Sequence, residues 1–174
     1  MGNADRRAVF EDLLRRYLPA IGRLATCYTR DVAEREDLVQ DIAIGLWTAL
    51  PRFRGEASER TWLYRIAHNT AITHMTRRER RATRERVGDL PDRPAPAATQ
   101  ESTAIDAERR ARLWAAVGAL PLVDRQIVVL HLEGLSAAEI EAVTGRSAGS
   151  IATRLTRCRQ TLAETVRRQE DPQP

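Results

Sequence analysis

The sequence predicts an all-α protein, with two small helical domains joined by a flexible Pro/Ala-rich linker. Three observations predict it. Apolar residues recur at spacings of three and four through most of the chain, and β-branched residues do not alternate with period two. Hydrophobic residues make up 43% of the 174 but aromatics only 5%, so the core must be mainly Leu, Ile, Val and Ala. Between about 87 and 102 the text VGDLPDRPAPAATQES carries three prolines and no apolar periodicity, which divides the chain. About 16 residues at ~3.3 Å each could span at most ~50 Å. The domains are therefore 1–86 and 106–168, with a linker at 87–105 and a short polar tail at 169–174.

In the first domain Phe10, Leu13, Leu14, Tyr17, Ile21, Leu24 and Tyr28 mark a helix, with a kink or break expected at Pro19. A second helix runs from about Ala33 to Leu50, with Leu38, Val39, Ile42, Leu46 and Leu50 inward and Trp47 read as core. After the loop PRFRGEAS, Ser58 is placed to cap a long third helix carrying Leu63, Ile66, Ala67 and Thr70 on one side. In the second domain Leu113, Trp114, Val117 and Leu120 form one helix, and Asp124–Leu132 the next, stopped at Gly134. Ser136 with Glu139 three residues on is a capping box, and Gly145 stands as a C′ glycine. Ser147 then caps the last helix.

The formal net charge is +4, and all 28 basic residues are Arg. Residues 31–41 hold five acids and one Arg, a net −4. Residues 76–86 and 146–168 each hold six Arg, for +4 and +5. One acidic block and two basic blocks point to two nucleic-acid contacts and a separate basic partner. Arg suits the first role, because its planar fork clamps phosphate and stacks on bases.

In the last helix Ile151, Leu155, Cys158 and Leu162 stay within roughly 60° on a helical wheel, a buried stripe. Gly149, Ser150, Thr153, Arg157 and Gln160 lie opposite or to the side. The short turn Gly145-Arg146-Ser147 joins this helix to one with Ile140 and Val143 inward. Residues 136–163 thus read as a helix-turn-helix whose second helix enters a DNA major groove. Ser147 and Ser150 leave room for close approach, and free amides at the helix start would attract phosphate. Arg154 and Arg157 can reach guanine edges or phosphates.

Phe53, Trp62, Tyr64 and Asn69 stand among many Arg between residues 53 and 81. Stacking on an aromatic contributes ~1–3 kcal/mol per base, so this mixture suits unpaired nucleic acid. Phe53 and Trp62 could equally close the core. On the acidic helix Glu36 and Gln40 are one turn apart, as are Asp37 and Asp41. Acids at that spacing repel slightly. A basic partner would offset the repulsion, although a merely solvated face has the same pattern.

Other chemistry is not indicated. His68, His74 and His131 make no metal spacing with Cys27 and Cys158, and no phosphate loop, nucleophile elbow or HExxH occurs. No enzyme, metal, cofactor or small-molecule substrate is expected. His68 reads as a surface or nucleic-acid-facing residue. Two distant cysteines imply free thiols in a reducing compartment. The start MGNADRRAVFEDLL has no apolar signal run, and no ~20-residue apolar span occurs, so a cytoplasmic protein without membrane contact is expected.

Residues 35–81 and 112–165 together resemble the extracytoplasmic-function class of bacterial sigma factors, the promoter-recognition subunits of RNA polymerase. EDLVQDIAIGLWTALPRFRGEASERTWLYRIAHNTAITHMTRRERR is similar to that family's region two, and ALPLVDRQIVVLHLEGLSAAEIEAVTGRSAGSIATRLTRCRQTL to its region four. The resemblance implies that Glu36, Asp37, Gln40 and Asp41 dock on basic clamp helices of core polymerase. It implies that Gly55, Ser58, Glu59, Arg60, Thr61 and Trp62, with Arg65 and Asn69, capture an extruded base of the melted minus-ten element. Arg77, Arg78, Arg80 and Arg81 would hold the adjoining backbone. Arg146, Ser147, Ala148, Ser150, Thr153, Arg154 and Arg157 would read the minus-thirty-five duplex. An anti-sigma protein is a candidate partner, and a stress or envelope-response regulon the expected setting. Glu59 stands where relatives often have an aromatic, Thr73 and Thr76 where an acid and a base are usual, and Ala152 replaces a frequent Lys. A stand-alone dimeric helix-turn-helix regulator would explain 112–165 but leave the acidic helix and the aromatic–Arg loop without a role. A purely protein-binding adaptor leaves both Arg blocks unexplained.

Overall fold

The computed structural model describes residues 3–29, 31–84 and 104–170, and every regular element among them is helical. The expected linker falls outside the described residues from 87 to 103, as does the tail from 171. The chain divides into two compact units. The first holds α1 (Asn3–Ala25), α2 (Val32–Ala49), a 3-10 turn (Leu50–Arg52) and α3 (Glu59–Arg84). The second holds α4 (Ala104–Ala119), α5 (Leu122–Leu132), α6 (Ala137–Thr144) as far as Glu141, and α7 (Ala148–Glu170).

In the first unit α1 runs unbroken through Pro19, against the expected kink or break. Proline removes one backbone donor and crowds the preceding turn. Here its ring lies on the exposed side, while Leu13, Ala20, Ile21, Leu24 and Ala25 are buried on both flanks. Packing on that face holds the helix together across the missing bond. Asp31 caps α2 by accepting from the Glu34 amide at 2.8 Å. Leu38, Ile42 and Leu46, four apart, bury one stripe of α2 completely. A methyl group on Gly45 would stand 3.2 Å from Thr70 Oγ1, so this glycine sets how closely α3 packs on α2. Ser58 caps α3 as expected, its Oγ 3.1 Å from the Thr61 amide.

Two expectations about side chains need correction. His68 is not on the surface; it is buried, with Nδ1 2.5 Å from the Tyr28 hydroxyl. Tyr28 is also buried and requires a polar partner, which the facing turn of α3 supplies. Trp47 is half-buried rather than core. Phe10 meets it edge-on at 5.1 Å, and the Arg6 guanidinium lies 3.9 Å from its ring centre while also donating to its carbonyl.

In the second unit the expected caps are present. Ser136 Oγ accepts from the Glu139 amide at 3.3 Å, and Glu139 Oε2 accepts from the Ser136 amide at 2.9 Å. Gly145 adopts φ 71°, the left-handed conformation that ends α6 without steric cost. Ile127, Leu130, Ile140, Ile151, Leu155 and Cys158 are all buried, and Leu162 is half-buried. Both cysteines are free thiols.

Candidate nucleic-acid and protein interfaces

The acids of α2 divide into two sets. Glu36, Asp37 and Gln40 are exposed. Asp41 turns toward α3, with Oδ2 3.2 Å from His74 Nδ1. Glu34, only 14% exposed, accepts from Arg78 Nη1 at 2.6 Å and lies 3.8 Å from His74 Nε2. Glu34 and Asp41 are seven residues apart on α2, and His74 and Arg78 four apart on α3. Both offsets keep a single helical face. That spacing is the sequence signal for the link between Glu34 and His74. Arg78 is consequently engaged by an acid of its own unit.

The loop before α3 presents Gly55 at φ 75°, exposed, with Ser58 exposed beside its cap contact. Glu59 is held by a fork from Arg16 on α1, at 2.6 and 3.2 Å. Nearby, burial pushes the Tyr17 phenol above its ordinary range, with the Glu59 charge adding to it. Arg60 is half-buried. Thr61 is buried, with Oγ1 2.8 Å from Ser58 Oγ. Trp62 is 7% exposed and packs on Phe53 with ring centres 4.8 Å apart. Trp62 lies in the core, and Phe53 is half-buried against it.

Along α3, Arg65, Asn69, Thr73, Thr76 and Arg80 are exposed. Their offsets place them within about 80° of one another on a helical wheel, so they form one continuous polar face. Thr73 and Thr76 donate to their own helix at the carbonyls of Asn69 and Ile72, both at 2.9 Å, which leaves their oxygens able to accept. Arg77 is also exposed; the side chain of Arg81 lies outside the described residues.

At the start of α7, Arg146, Ser147, Ser150, Thr153 and Arg157 are exposed and Ala148 is half-buried. Two of the amides expected to be free are already engaged. Glu141 Oε2 accepts from the Ala148 amide at 3.0 Å, and Ser147 Oγ from the Ser150 amide at 3.4 Å. The two arginines also differ. Arg154 is half-buried and donates from Nη1 to Asp124 Oδ1 at 2.6 Å. Arg157, whose side chain is 65% exposed, holds Nη2 3.6 Å from Asp124 Oδ2. Asp124 was read only as the start of a helix. Arg159, also overlooked, reaches His131 with Nη2 3.1 Å from Nε2. Burial first, and the Asp124 charge second, push the Cys158 thiol above its ordinary range.

Among the described residues no group of three His, Cys, Asp or Glu side chains is placed to hold a metal. No helix among them is long and apolar enough to cross a membrane. The candidate surfaces are one acidic face, one polar and Arg-bearing helix face, and one helix-turn-helix.

Comparison with known proteins gives the same division. Residues 13–81 match the family model of sigma-70 region 2, and residues 110–162 that of sigma-70 region 4. The RNA polymerase sigma-H factor of Pseudomonas aeruginosa is 32% identical over 174 residues, with 93% of this chain and 88% of that one covered. The ECF RNA polymerase sigma-E factor of Escherichia coli is 30% identical with the same coverage of 93% and 88%. A co-crystal of the sigma factor RpoE of Bartonella quintana with the anti-sigma factor NepR shares the fold, with TM-score 0.75 and 24% identity. That match covers 91% of this chain and 96% of that one. With both regions present in order and relatives matched over most of their length, the chain belongs to the sigma-70 family, in its extracytoplasmic-function class.

Proposed function

We propose that this sigma factor divides promoter recognition among the three surfaces as follows. The outer acids of α2, Glu36 and Asp37 with Gln40, dock on a basic surface of core polymerase, and Asp41 contributes from the edge of that face. The Gly55–Trp62 loop and the Arg65–Asn69 turn of α3 receive an extruded minus-ten base. Extrusion costs a few kcal/mol, which hydrogen bonds and apolar contacts around the base must offset. Arg77 and Arg80 neutralise the adjoining phosphates. The exposed side of α7 reads the minus-thirty-five duplex, with Thr153 and Arg157 facing base edges and Arg146 and Ser147 near the backbone.

The observation that supports this reading best is the continuous polar face of α3, next to an acidic helix whose outermost acids are exposed. A stand-alone dimeric regulator needs neither. Every step assigned here is binding, so the chain aims and opens while polymerase supplies the chemistry. It would work in the cytoplasm, where polymerase works, on a stress or envelope-response regulon. An anti-sigma protein is a fitting antagonist, since the similar Bartonella sigma factor was crystallised with one.

Run-off transcription with purified core polymerase and this chain tests the proposal. Discrete transcripts that require the chain are expected, together with stable core binding. A chain that neither binds core nor permits initiation would overturn it.

A further inference from the structure

Asp124 is a buried carboxylate in the first turn of α5, and both of its oxygens face arginines of α7. Its side chain is 9% exposed, so it is expensive to bury without partners. Arg154 Nη1 supplies one at 2.6 Å, short enough for a charge-assisted hydrogen bond. Arg157 Nη2 stands 3.6 Å from the other oxygen, too far for a good hydrogen bond but well within Coulomb reach. The two arginines therefore have different work. Arg154 is an internal strut between α5 and α7. Arg157 is tethered at one end of its guanidinium and open to solvent on the rest.

We infer that Asp124 is a positioning residue for duplex recognition, fixing the direction in which Arg157 points across the exposed side of α7. An arginine on four rotatable bonds loses side-chain entropy when it meets a base edge. A carboxylate that already restrains it lowers that loss, because preorganisation reduces the cost of binding. The inference rests on the proposal that α7 reads the minus-thirty-five duplex, and its test separates the two.

The test exploits a conflict of signs. Replacing Asp124 by Asn removes a negative charge beside a DNA-facing helix. Simple electrostatics would then raise affinity for any duplex. Positioning demands the opposite for the specific duplex alone. Holoenzyme is assembled from core polymerase and the full chain. It is titrated against a duplex it has selected from a randomised minus-thirty-five pool, and against a scrambled duplex. With Asp124→Asn, specific affinity should fall roughly tenfold, as expected for losing one base contact, while scrambled-duplex affinity holds or rises. Arg157→Ala should cost the wild type about as much and the Asp124→Asn chain little more. Asp124→Glu, which keeps the charge, should recover part of the loss.

Specific affinity that rises together with non-specific affinity overturns the inference. So does an Arg157→Ala effect of equal size in both backgrounds. Should Asp124→Asn fail to fold, Asp124→Leu with Arg154→Met replaces the buried pair by apolar groups and carries the same cycle. If Arg157→Ala costs the wild type nothing, the minus-thirty-five assignment of Arg157 fails first, and the positioning role falls with it.

Discussion

Cys158 shows how strongly one side chain can be governed by its surroundings. It lies in the buried stripe of α7 next to Arg157, and burial with the Asp124 charge holds its thiol above the ordinary range. Free thiols are half-ionised near pH ~8.5. The unfolded chain therefore loses this proton first as pH rises. The associated stability is complete below the ordinary thiol range and is lost as pH climbs through the raised folded value. Iodoacetamide at pH 8 should modify Cys158 slowly in the native protein and rapidly in urea, as read from the Cys158 peptide by mass spectrometry. Equal rates in the two states would contradict the burial account. The stripe that hides Cys158 was legible in the sequence, because four residues at offsets 0, 4, 7 and 11 define a face without reference to any neighbour. The Asp124 pair was not. It joins residues 30 apart, and helical periodicity says nothing about which helix a charged group will meet. His68 was misread for the same reason: its partner Tyr28 lies 40 residues away.

Whole helices were easier to anticipate than their partners. Ser58, Ser136 and Gly145 act where the sequence placed them, since a cap depends on residues three or four apart. Pro19 was misjudged because the local cost of proline was weighed without the tertiary packing that outweighs it. On α2 the four acidic-face residues looked equivalent in sequence, yet Asp41 is drawn toward His74 and the other three remain exposed. This changes which substitutions test docking cleanly. Reversing Asp41 would also disturb the contact between α2 and α3. Glu36→Arg with Asp37→Arg should weaken core binding about tenfold or more, since like charges would then face the basic clamp. Minus-thirty-five duplex binding and the melting temperature should stay as in the wild type. A competition titration against unmodified chain for core polymerase measures this. Unchanged core affinity would remove α2 from the docking surface.

At the scale of the molecule, two helical domains are legible from one Pro-rich interruption and two runs of apolar period, and the family's two regions match on either side of that interruption. What periodicity could not supply was the sorting of charge. Arg78 and Arg154 carry the same formal charge as Arg77 and Arg157, but the first two are held by acids of their own unit and the second two are largely exposed. Composition counts all four as potential phosphate contacts. Three-dimensional packing separates the arginines held by acids from those left exposed.

The 26 residues of α3 form a single unbroken helix, which makes it about 39 Å long. Such a rod behaves as a screw: each added residue advances the far end ~1.5 Å and turns it ~100°. Under the proposed minus-ten contact, Arg80 therefore cannot be moved along the strand relative to Asn69 without also being swung away from it. In that reading, substitutions on the exposed face retune which bases are preferred, but changes of length between these residues have no smooth path. One alanine inserted after Thr73 leaves the buried Leu63, Ala67 and Ala71 in place, yet it should abolish strand opening by the holoenzyme. Permanganate reactivity of unpaired thymines would report it. If opening survives that insertion, Arg80 and Asn69 do not grip the same strand.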